Sequence, residues 1–384
     1  MLSEFIMPNK ILTGKNSLEY SGDNLKSFGK KALIVTDNIM IRLGNVQAVI
    51  DVLNKEKVIN IVYDEINSEP TDTMIKKGVE LYKKESCDFV IAVGGGSSID
   101  SAKAIAMMVS NSGDISDYMD KQIINKLPAI VAIPTTAGTG SEATQFTIIS
   151  DTKTDVKMLI KGTSLMPTLA IIDSRFTMTA PPKITAATGL DALTHAIEAY
   201  TSKKSQQLSD TFALSAIKRI FKYLPIAFND GNNEEARTQM AIAALEAGIA
   251  FNNSSVTIVH GMSRPIGAIF HVPHGISNAM LLKECFTFVL DGAYTKFADL
   301  ARIINIAQDN TKDEIAAKKF VDEVNVLCKA LSIPTLNEYG IDKEKFFNNL
   351  DKMASDALES GSPSNTIKKV THDDIVEIYK SLWR

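Results

Sequence analysis

The first half of the chain alternates short apolar runs with amphipathic segments. The runs are rich in β-branched residues and apolar at successive positions, which is typical of parallel strands that helices cover on both faces. The predicted strands span residues 31–36, 60–63, 88–93, 129–134 and 169–173. Between two of them, residues 71–86 space their apolar side chains as an amphipathic helix does. The alternation predicts βαβ units and an open, doubly wound parallel sheet.

The alternation ends near Pro181 and Pro182, and helical patterns follow one another to the end of the chain. The predicted helices span residues 184–200, 207–222, 234–250, 293–307 and 312–331, with a last one that begins near Thr371. A chain of 384 residues exceeds what one hydrophobic core usually organises. We therefore predict an α/β domain over residues 1–180 and an all-helical domain over residues 181–384.

Composition and charge exclude several classes of protein. The net charge of −4 leaves no surplus of positive charge for a nucleic-acid surface. Three widely separated cysteines exclude a disulfide or cysteine-rich zinc scaffold and favour reduced thiols. Glu4 and Pro8 interrupt what a signal peptide would need at the N-terminus, and no apolar run reaches the length of a membrane span. We expect a soluble, cytoplasmic protein without nucleic-acid or membrane partners.

Glycine-rich turns follow two of the predicted strands. Gly94, Gly95 and Gly96 lead into a helix, where backbone N–H groups and the positive end of the helix suit a pyrophosphate. The alternative is a tight strand-to-helix turn with a serine cap. A second turn, residues 135–140, also follows the carboxyl end of a strand, where open α/β sheets bind ligands. Two such turns favour a nucleotide site over the alternative.

Asp37 ends another predicted strand and has two interpretations. A carboxylate there can accept hydrogen bonds from a ribose diol and repel the 2′-phosphate of NADP. It can equally be an ordinary helix cap. Asp37 precedes Gly94, whereas the acid of a Rossmann fingerprint follows its glycines. A nucleotide site here would therefore belong to a different topology.

Four of the five histidines lie between residues 195 and 274. Asp191 and His195 are four residues apart, so a helix places them on one face, as two ligands of one metal ion require. The alternative is a simple surface pair. His260 and His274 are each followed by glycine, which we expect to leave room beside each imidazole.

The intervening Pro265 and Pro273 argue against one continuous helix, so the chain can turn and bring His274 towards His260. Three histidines and one aspartate suit a divalent transition metal with an open position, either Fe(II) or Zn(II). His372, near the start of the last helix, is expected to be a cap-region residue without a functional role.

Taken in order, these motifs resemble the iron-containing (group III) alcohol dehydrogenases, over essentially the whole chain. The matching segments are VTD at 35–37, GGGSSIDSAK at 94–103, PTTAGTGSE at 134–142, DVKMLI at 155–160, PTLAIID at 167–173, GLDALTHAIEAY at 189–200, and the HG and PHG pairs within 260–275. The resemblance implies a dehydroquinate synthase-like fold, with the active site in a cleft between a nucleotide-binding domain and a helical domain. It also implies a homodimer joined by the N-terminal strand around residues 5–12, or a larger assembly.

The resemblance extends to individual site residues. It implies that the metal ligands are Asp191, His195, His260 and His274. Together with the glycine turns, it gives these candidate NAD-binding residues: Asp37, Gly94, Gly95, Gly96, Ser97, Ser98, Thr135, Thr136, Thr139 and Lys157. The implied cofactors are NAD and one divalent metal ion, Fe(II) ahead of Zn(II).

The sequence departs from the family at Arg264. Many members have a second histidine there, four residues after the first, which is often proposed as a proton relay; arginine cannot lose its proton in this pH range. His271 could act as the catalytic relay instead, or it could pack in the cleft wall while protons leave through water and ribose hydroxyls. Arg264 could bind a substrate carboxylate, or form a salt bridge or a contact with a cofactor phosphate.

These features predict an NAD-dependent, metal-dependent oxidoreductase that transfers a hydride between nicotinamide and a small primary alcohol, diol or aldehyde. The alternatives are a hydroxy-acid or semialdehyde dehydrogenase, for example of the 4-hydroxybutyrate type, and a lyase or glycerol-dehydrogenase-like zinc enzyme on the same fold. A non-catalytic scaffold would have no reason to keep four metal ligands.

Overall fold

The computed structural model describes residues 3–119, 121, 123, 125–154 and 156–383. The chain divides into two compact units, one of Ile6–Ala180 and one of Met1–Phe5 with Pro181–Arg384. Asp155, in the matching segment 155–160, lies outside the described residues, as do residues 1, 2 and 384 at the outer ends of the predicted domains.

The first unit is built on a parallel sheet. Its strands are β1 (Lys10–Thr13), β2 (Lys31–Val35), β3 (Ile59–Tyr63), β4 (Phe89–Gly94), β5 (Ile130–Pro134), β6 (Phe146–Ser150), β7 (Lys157–Lys161) and β8 (Leu169–Ile172). Its helices are α1 (Ser17–Tyr20), α2 (Gly22–Phe28), α3 (Asn38–Arg42), α4 (Asn45–Lys55), α5 (Asp72–Glu85) and α6 (Gly96–Ser110). Among the described residues, six strands form the sheet in the order β1-β8-β5-β4-β2-β3, and every pairing in it is parallel. The predicted parallel α/β fold is confirmed.

Both faces of this sheet are buried. Successive side chains of a strand point to opposite faces, so Leu33 and Ile34 enter different clusters. Leu33 packs in the cluster that contains Ile75 of α5 and Ile105 of α6. Ile34 packs in the cluster that contains Val49 of α4. Burial on both faces explains why these strands are continuous apolar runs.

Two strands of the first unit, β6 and β7, were not predicted from the sequence. β6 and β7 form an antiparallel ladder that is separate from the main sheet. In β7, Met158 and Ile160 are buried while Lys157, Leu159 and Lys161 are exposed. Its alternating pattern is that of a strand with one buried face, unlike the continuous apolar runs of the main sheet.

The carboxyl ends of β2, β4 and β5 lie side by side at one edge of the sheet. The Thr36 hydroxyl, just after β2, donates to the carbonyl of Val93 over 2.7 Å. The backbone N–H of Thr135, just after β5, donates to the carbonyl of Gly94 over 3.0 Å. The fold thereby brings both glycine-rich turns and the end of β2 to the same edge, where open parallel sheets bind ligands.

The second unit is helical. Its helices are α7 (Pro182–Thr201), α8 (Gln207–Asn229), α9 (Glu234–Asn253), α10 (Ile258–Phe270), α11 (His274–Ile303), α12 (Asp313–Ala330), α13 (Leu336–Tyr339), α14 (Lys343–Asn348), α15 (Leu350–Glu359) and α16 (His372–Ser381). Almost every residue of α7 from Thr185 to Thr201 is buried, because α8, α9 and α11 all pack against it. In the described part of the chain, no single helix could span a membrane by length and hydropathy, and the one pair that could do so jointly, α9 with α10, is bent by 105°.

The helix predictions were right for most of this unit and incomplete around the histidines. The predicted helix 293–307 is the second part of α11, which has a non-helical residue at Ala293. Pro265 lies inside α10 and does not end it, whereas Pro273 is the N-cap of α11. The chain therefore turns at residues 271–273, and tertiary packing keeps α10 helical in spite of the hydrogen bond that Pro265 cannot donate.

A buried lysine joins α6 to the loop that follows the second glycine turn. The Lys103 ammonium donates to the carbonyls of Thr144 and Phe146, both over 2.9 Å, and to the Ser141 hydroxyl over 3.1 Å. Ser141 in turn donates to Asp100 over 2.5 Å. Burial lowers the pKa of Lys103 to about 8, although Asp100 opposes the shift. This network holds the second turn and β6 against α6.

We expect Lys103→Met to destabilise the protein by about 3–5 kcal/mol, because it leaves buried carbonyls and the Asp100 carboxylate without their cation. Urea unfolding followed by far-UV circular dichroism measures the change. Lys77→Met is the control: its partner is Glu65, both side chains are exposed, and such pairs contribute at most about 1 kcal/mol. Equal midpoints for the two variants would contradict the role of the Lys103 network.

Candidate functional site

Helix α7 carries three buried polar side chains on one face. Asp191, His195 and Glu198 are spaced by four and then three residues, so they project from the same side of the helix. All three are buried. Two carboxylates on a buried helix are costly unless cations or hydrogen bonds compensate them.

Histidines from α10 and α11 approach the same carboxylate. His260 Nε2 lies 3.6 Å from Asp191 Oδ1, and His274 Nε2 lies 3.5 Å from the same oxygen. His195 Nδ1 lies 3.9 Å from Asp191 Oδ2. Ligand atoms of Asp191, His195 and His260 all lie within 4.8 Å of one another. The structure thus brings together all four residues that the sequence singled out as ligands, with His274 the exposed member.

The glycines beside the histidines serve the packing of helices, not the space beside the imidazoles that we expected. A Cβ atom on Gly275 would lie 2.2 Å from the carbonyl oxygen of Ala187 in α7. A Cβ atom on Gly261 would lie 2.7 Å from the ring of Pro363. Backbone contact between the start of α11 and α7 therefore places His274 next to Asp191.

Glu198 fixes the orientation of His260. Its Oε2 lies 2.6 Å from His260 Nδ1, and its Oε1 accepts from the Thr257 hydroxyl over 2.7 Å and from the Val259 N–H over 2.6 Å. A carboxylate at Nδ1 keeps a proton on that nitrogen and turns Nε2 towards Asp191, the direction from which it would bind a metal ion. Carboxylate partners of this kind are usual behind histidines that bind metals.

The electrostatics of the cluster suit a cation. Burial disfavours a charged Asp191, but the surrounding imidazoles outweigh it and hold the pKa of this carboxyl well below its usual range. Burial lowers the pKa of His195 to about 3, so its imidazole is neutral. Burial also opposes the imidazolium of His260, but the Glu198 carboxylate raises its pKa to about 9. An ionised carboxylate and a neutral imidazole are the forms that bind metal ions, so Asp191 and His195 are in the binding form, and a metal ion would displace the Nε2 proton of His260.

Asn278 places a hydrogen-bond donor among the ligand atoms. Its Nδ2 lies 2.7 Å from Asp191 Oδ1, 3.3 Å from His260 Nε2 and 3.2 Å from His274 Nε2. Among the described residues, buried His195 Nδ1 and Asn278 Oδ1 have no hydrogen-bond partner. Acceptors that converge on one point, with an unpartnered imidazole nitrogen beside them, are the donor set of a divalent metal site.

Sequence reasoning missed Glu198 and Asn278. Glu198 follows His195 by three residues, and Asn278 follows His274 by four, so each shares a helix face with a candidate ligand. That spacing was the available signal. The other histidines lie elsewhere: His271 is exposed and ends α10 in a left-handed conformation at φ 56°, and His372 is the first residue of α16.

In the first unit, the two glycine-rich turns contact each other. A Cβ atom on Gly96 would lie 2.9 Å from Thr139 Cγ2, and one on Gly95 would lie 3.5 Å from Thr136 Oγ1. A Cβ atom on Gly94 would lie 2.3 Å from the hydroxyl of Ser98. A side chain at Gly96 would therefore press against the second turn, and one at Gly94 would collide with the start of α6.

Helix α6 does not begin with the serine cap that we gave as the alternative to a nucleotide site. Its N-cap is Gly95, and in the described part of the chain no side chain accepts a capping hydrogen bond there. Ser97 and Ser98 lie inside the first turn, half-buried and buried respectively. The first N–H groups of a helix have no partner within the helix, so this end can bind an anion.

Asp37 fits both of its interpretations. Its Oδ1 caps α3, accepting from the N–H groups of Ile39 over 2.7 Å and Met40 over 3.0 Å. Its Oδ2 lies 3.7 Å from where a Cβ atom of Gly94 would be, so this oxygen faces the first glycine turn. Lys157 instead forms an exposed ion pair with Glu69 over 2.8 Å.

Comparison with known proteins follows the same division of the chain. The family profile "Iron-containing alcohol dehydrogenase" matches residues 8–174, and "Fe-containing alcohol dehydrogenase family, C-terminal" matches residues 185–383. The chain is 36% identical to 1,3-propanediol dehydrogenase of Citrobacter freundii, over 99% of this chain and 98% of that protein. It is 34% identical to the NAD-dependent methanol dehydrogenase of Bacillus methanolicus, over 99% and 100%.

Among solved structures, a 1,3-propanediol oxidoreductase superposes with a TM-score of 0.96 at 33% identity, over 100% of both chains. The dehydroquinate synthase-like fold expected from the sequence is thereby confirmed.

We expect Glu198→Gln to weaken the binding of a divalent metal by about 10–100-fold. A glutamine amide can donate to His260 Nδ1, which would move the imidazole proton to the ligand atom Nε2. Competition titration of metal-free protein with Zn(II) or Co(II) measures the affinity. The control is Glu246→Gln in α9, whose carboxylate accepts from Ser215 and Arg219. Unchanged affinity in a folded Glu198→Gln protein would contradict the orientation assigned to His260.

Proposed function

The chain belongs to the iron-containing alcohol dehydrogenase family, and we propose that within it this enzyme uses NAD(H) and one divalent metal ion to interconvert small primary alcohols or diols and their aldehydes. The observation that carries the proposal is the buried cluster on Asp191, where acceptor atoms of three histidines converge with a carboxylate. The two glycine-rich turns of the first unit support the assignment of a nucleotide cofactor.

Asp191, His195, His260 and His274 would hold the metal ion. The family description favours Fe(II), and the ligand set also suits Zn(II). When bound, the metal supplies Lewis-acid polarisation of the substrate oxygen. Glu198 keeps His260 Nε2 directed at the site, and burial keeps His195 neutral and able to bind. His271 is the proton-relay candidate: it is exposed and lies three residues before His274.

The nucleotide would bind at the edge of the sheet in the first unit. NAD(H), when bound, supplies the hydride acceptor or donor. The open N-terminus of α6 and the close approach of the two turns suit a pyrophosphate. The hydroxyls of Ser97, Thr136 and Thr139 would lie beside it as hydrogen-bond donors. Oδ2 of Asp37 would accept from a ribose hydroxyl. Lys157 would have to leave Glu69 to take part.

Compartment and assembly are part of the proposal. Cys87, Cys285 and Cys328 are buried and unpaired, which suits the reducing cytoplasm. β1 lies at one edge of the sheet, paired with β8 on one side only. An edge strand can pair with another chain, which supports a homodimer joined through this segment.

The metal assignment predicts about one divalent ion per chain after anaerobic purification, measured by elemental analysis. His260→Ala should lose the ion and about 1,000-fold or more in kcat/KM for aldehyde reduction with NADH, because it removes a ligand and leaves Glu198 unpaired. The matched control is His372→Ala, which changes a histidine of α16 that we assign no role. Full metal content and activity in the His260 variant would show that the site is assigned wrongly.

The cofactor assignment predicts a clear preference for NADH over NADPH. Asp37→Asn keeps an oxygen that can cap α3 but removes the charge that repels a 2′-phosphate. We expect it to raise kcat/KM with NADPH by about tenfold or more at unchanged melting temperature. A wild-type preference for NADPH, or no response to the substitution, would argue against ribose recognition by Asp37.

A further inference from the structure

Arg264 lies one turn after His260, on the polar face of α10. At 100° per residue, His260, Ser263 and Arg264 share one face of this helix. The Ser263 hydroxyl lies 3.5 Å from His274 Nδ1, so this face borders the histidine cluster. Met262 and Ile266, on the other faces, are fully buried in the core. The arginine therefore belongs to the surface of the helix that carries a candidate metal ligand.

Arg264 differs from the other arginines in the described part of the chain. Each of the others donates to an oxygen of the protein: Arg42 to Asn38, Arg175 to Asp173 and Glu19, Arg219 to Glu246, Arg237 to Thr185 and Gly231, and Arg302 to Asp313. Arg264 alone, among these described arginines, forms no hydrogen bond or ion pair with a described residue. It is nevertheless half-buried, and burial lowers the pKa of its guanidinium.

The carboxylate that compensates the charge of Arg264 already accepts hydrogen bonds from other groups. Glu198 is the carboxylate whose charge favours the Arg264 guanidinium. Its two oxygens accept from Thr257, Val259 and His260. Glu198 therefore offsets part of the cost of burying Arg264 without taking up its donors. A guanidinium presents five N–H donors in a planar fork that matches a carboxylate.

We propose that Arg264 binds the carboxylate of an acidic substrate, so that the preferred substrates are short hydroxy acids and their semialdehydes. This inference rests on the proposed alcohol dehydrogenase function. One helical turn is about 5.4 Å, and a four-carbon chain has a similar length. A substrate with its carbonyl end at the histidine cluster can therefore place its acid end at Arg264. Arg264 thus selects substrates by the negative charge of the group at the end far from the carbonyl.

The test compares butanal with succinic semialdehyde, which has the same number of carbons and a terminal carboxylate. With NADH and metal-loaded wild type, we expect kcat/KM to favour the acid by about tenfold or more. Arg264→Gln should lower kcat/KM for succinic semialdehyde by about 100-fold and leave butanal within about threefold. Arg264→Lys should lie between, because it keeps the charge but loses the fork. Arg219→Gln, which changes a paired arginine of α8, is the control.

Calorimetric titration with 4-hydroxybutyrate and with 1-butanol provides a second measurement that needs no turnover. We expect Arg264→Gln to weaken binding of the acid by about tenfold or more and to leave the alcohol unchanged. Equal kcat/KM of the two aldehydes in wild type would overturn the inference. So would equal losses on both aldehydes with a raised Kd for NADH, since Arg264 would then contact a cofactor phosphate. Arginine-dependent binding of the acid without turnover of either aldehyde would uphold the carboxylate site and refute the proposed function.

Discussion

The second unit depends on two buried carboxylates of α7. Asp191 and Glu198 lie on one face of a helix that its neighbours enclose. Each charge would be expensive in such surroundings if it stood alone. His260 lies between them, with Nδ1 at Glu198 and Nε2 towards Asp191. One imidazole therefore compensates one carboxylate directly and directs its Nε2 towards the other.

Glycines allow the neighbouring helices to pack closely around this arrangement. Gly189 of α7 leaves space that Leu224 of α8 fills, since a Cβ atom there would lie 2.4 Å from Leu224 Cδ1. Gly275 does the same for α11 against Ala187. Metal affinity depends on ligand positions fixed to within fractions of an ångström. The packing of small residues around α7 thus governs the geometry of the proposed site as directly as the ligands themselves.

Much of the fold was predictable because burial on both faces of a parallel sheet leaves a clear pattern, as in Leu33 and Ile34. Helix α10 was harder, because Pro265 is a strong local signal for a break and only the packing of Met262 and Ile266 overrides it. The ligand set was found by helical spacing and by resemblance. Glu198 was missed although it has the same spacing, because a glutamate on a helix usually faces solvent. Its burial is a property of the whole unit that no local pattern shows.

The site also separates two tasks that α10 carries. His260 is held by Glu198 through its own Nδ1, and no contact of Arg264 takes part in that orientation. The side chain one turn along can therefore change from a group that moves protons to one that binds an anion while the ligand geometry stays the same. The cost of burying the new charge is partly offset by Glu198, which also orients the proposed metal ligand His260. Under the proposed function, this independence lets a single position on the helix set the class of substrate without changing the proposed metal ligands.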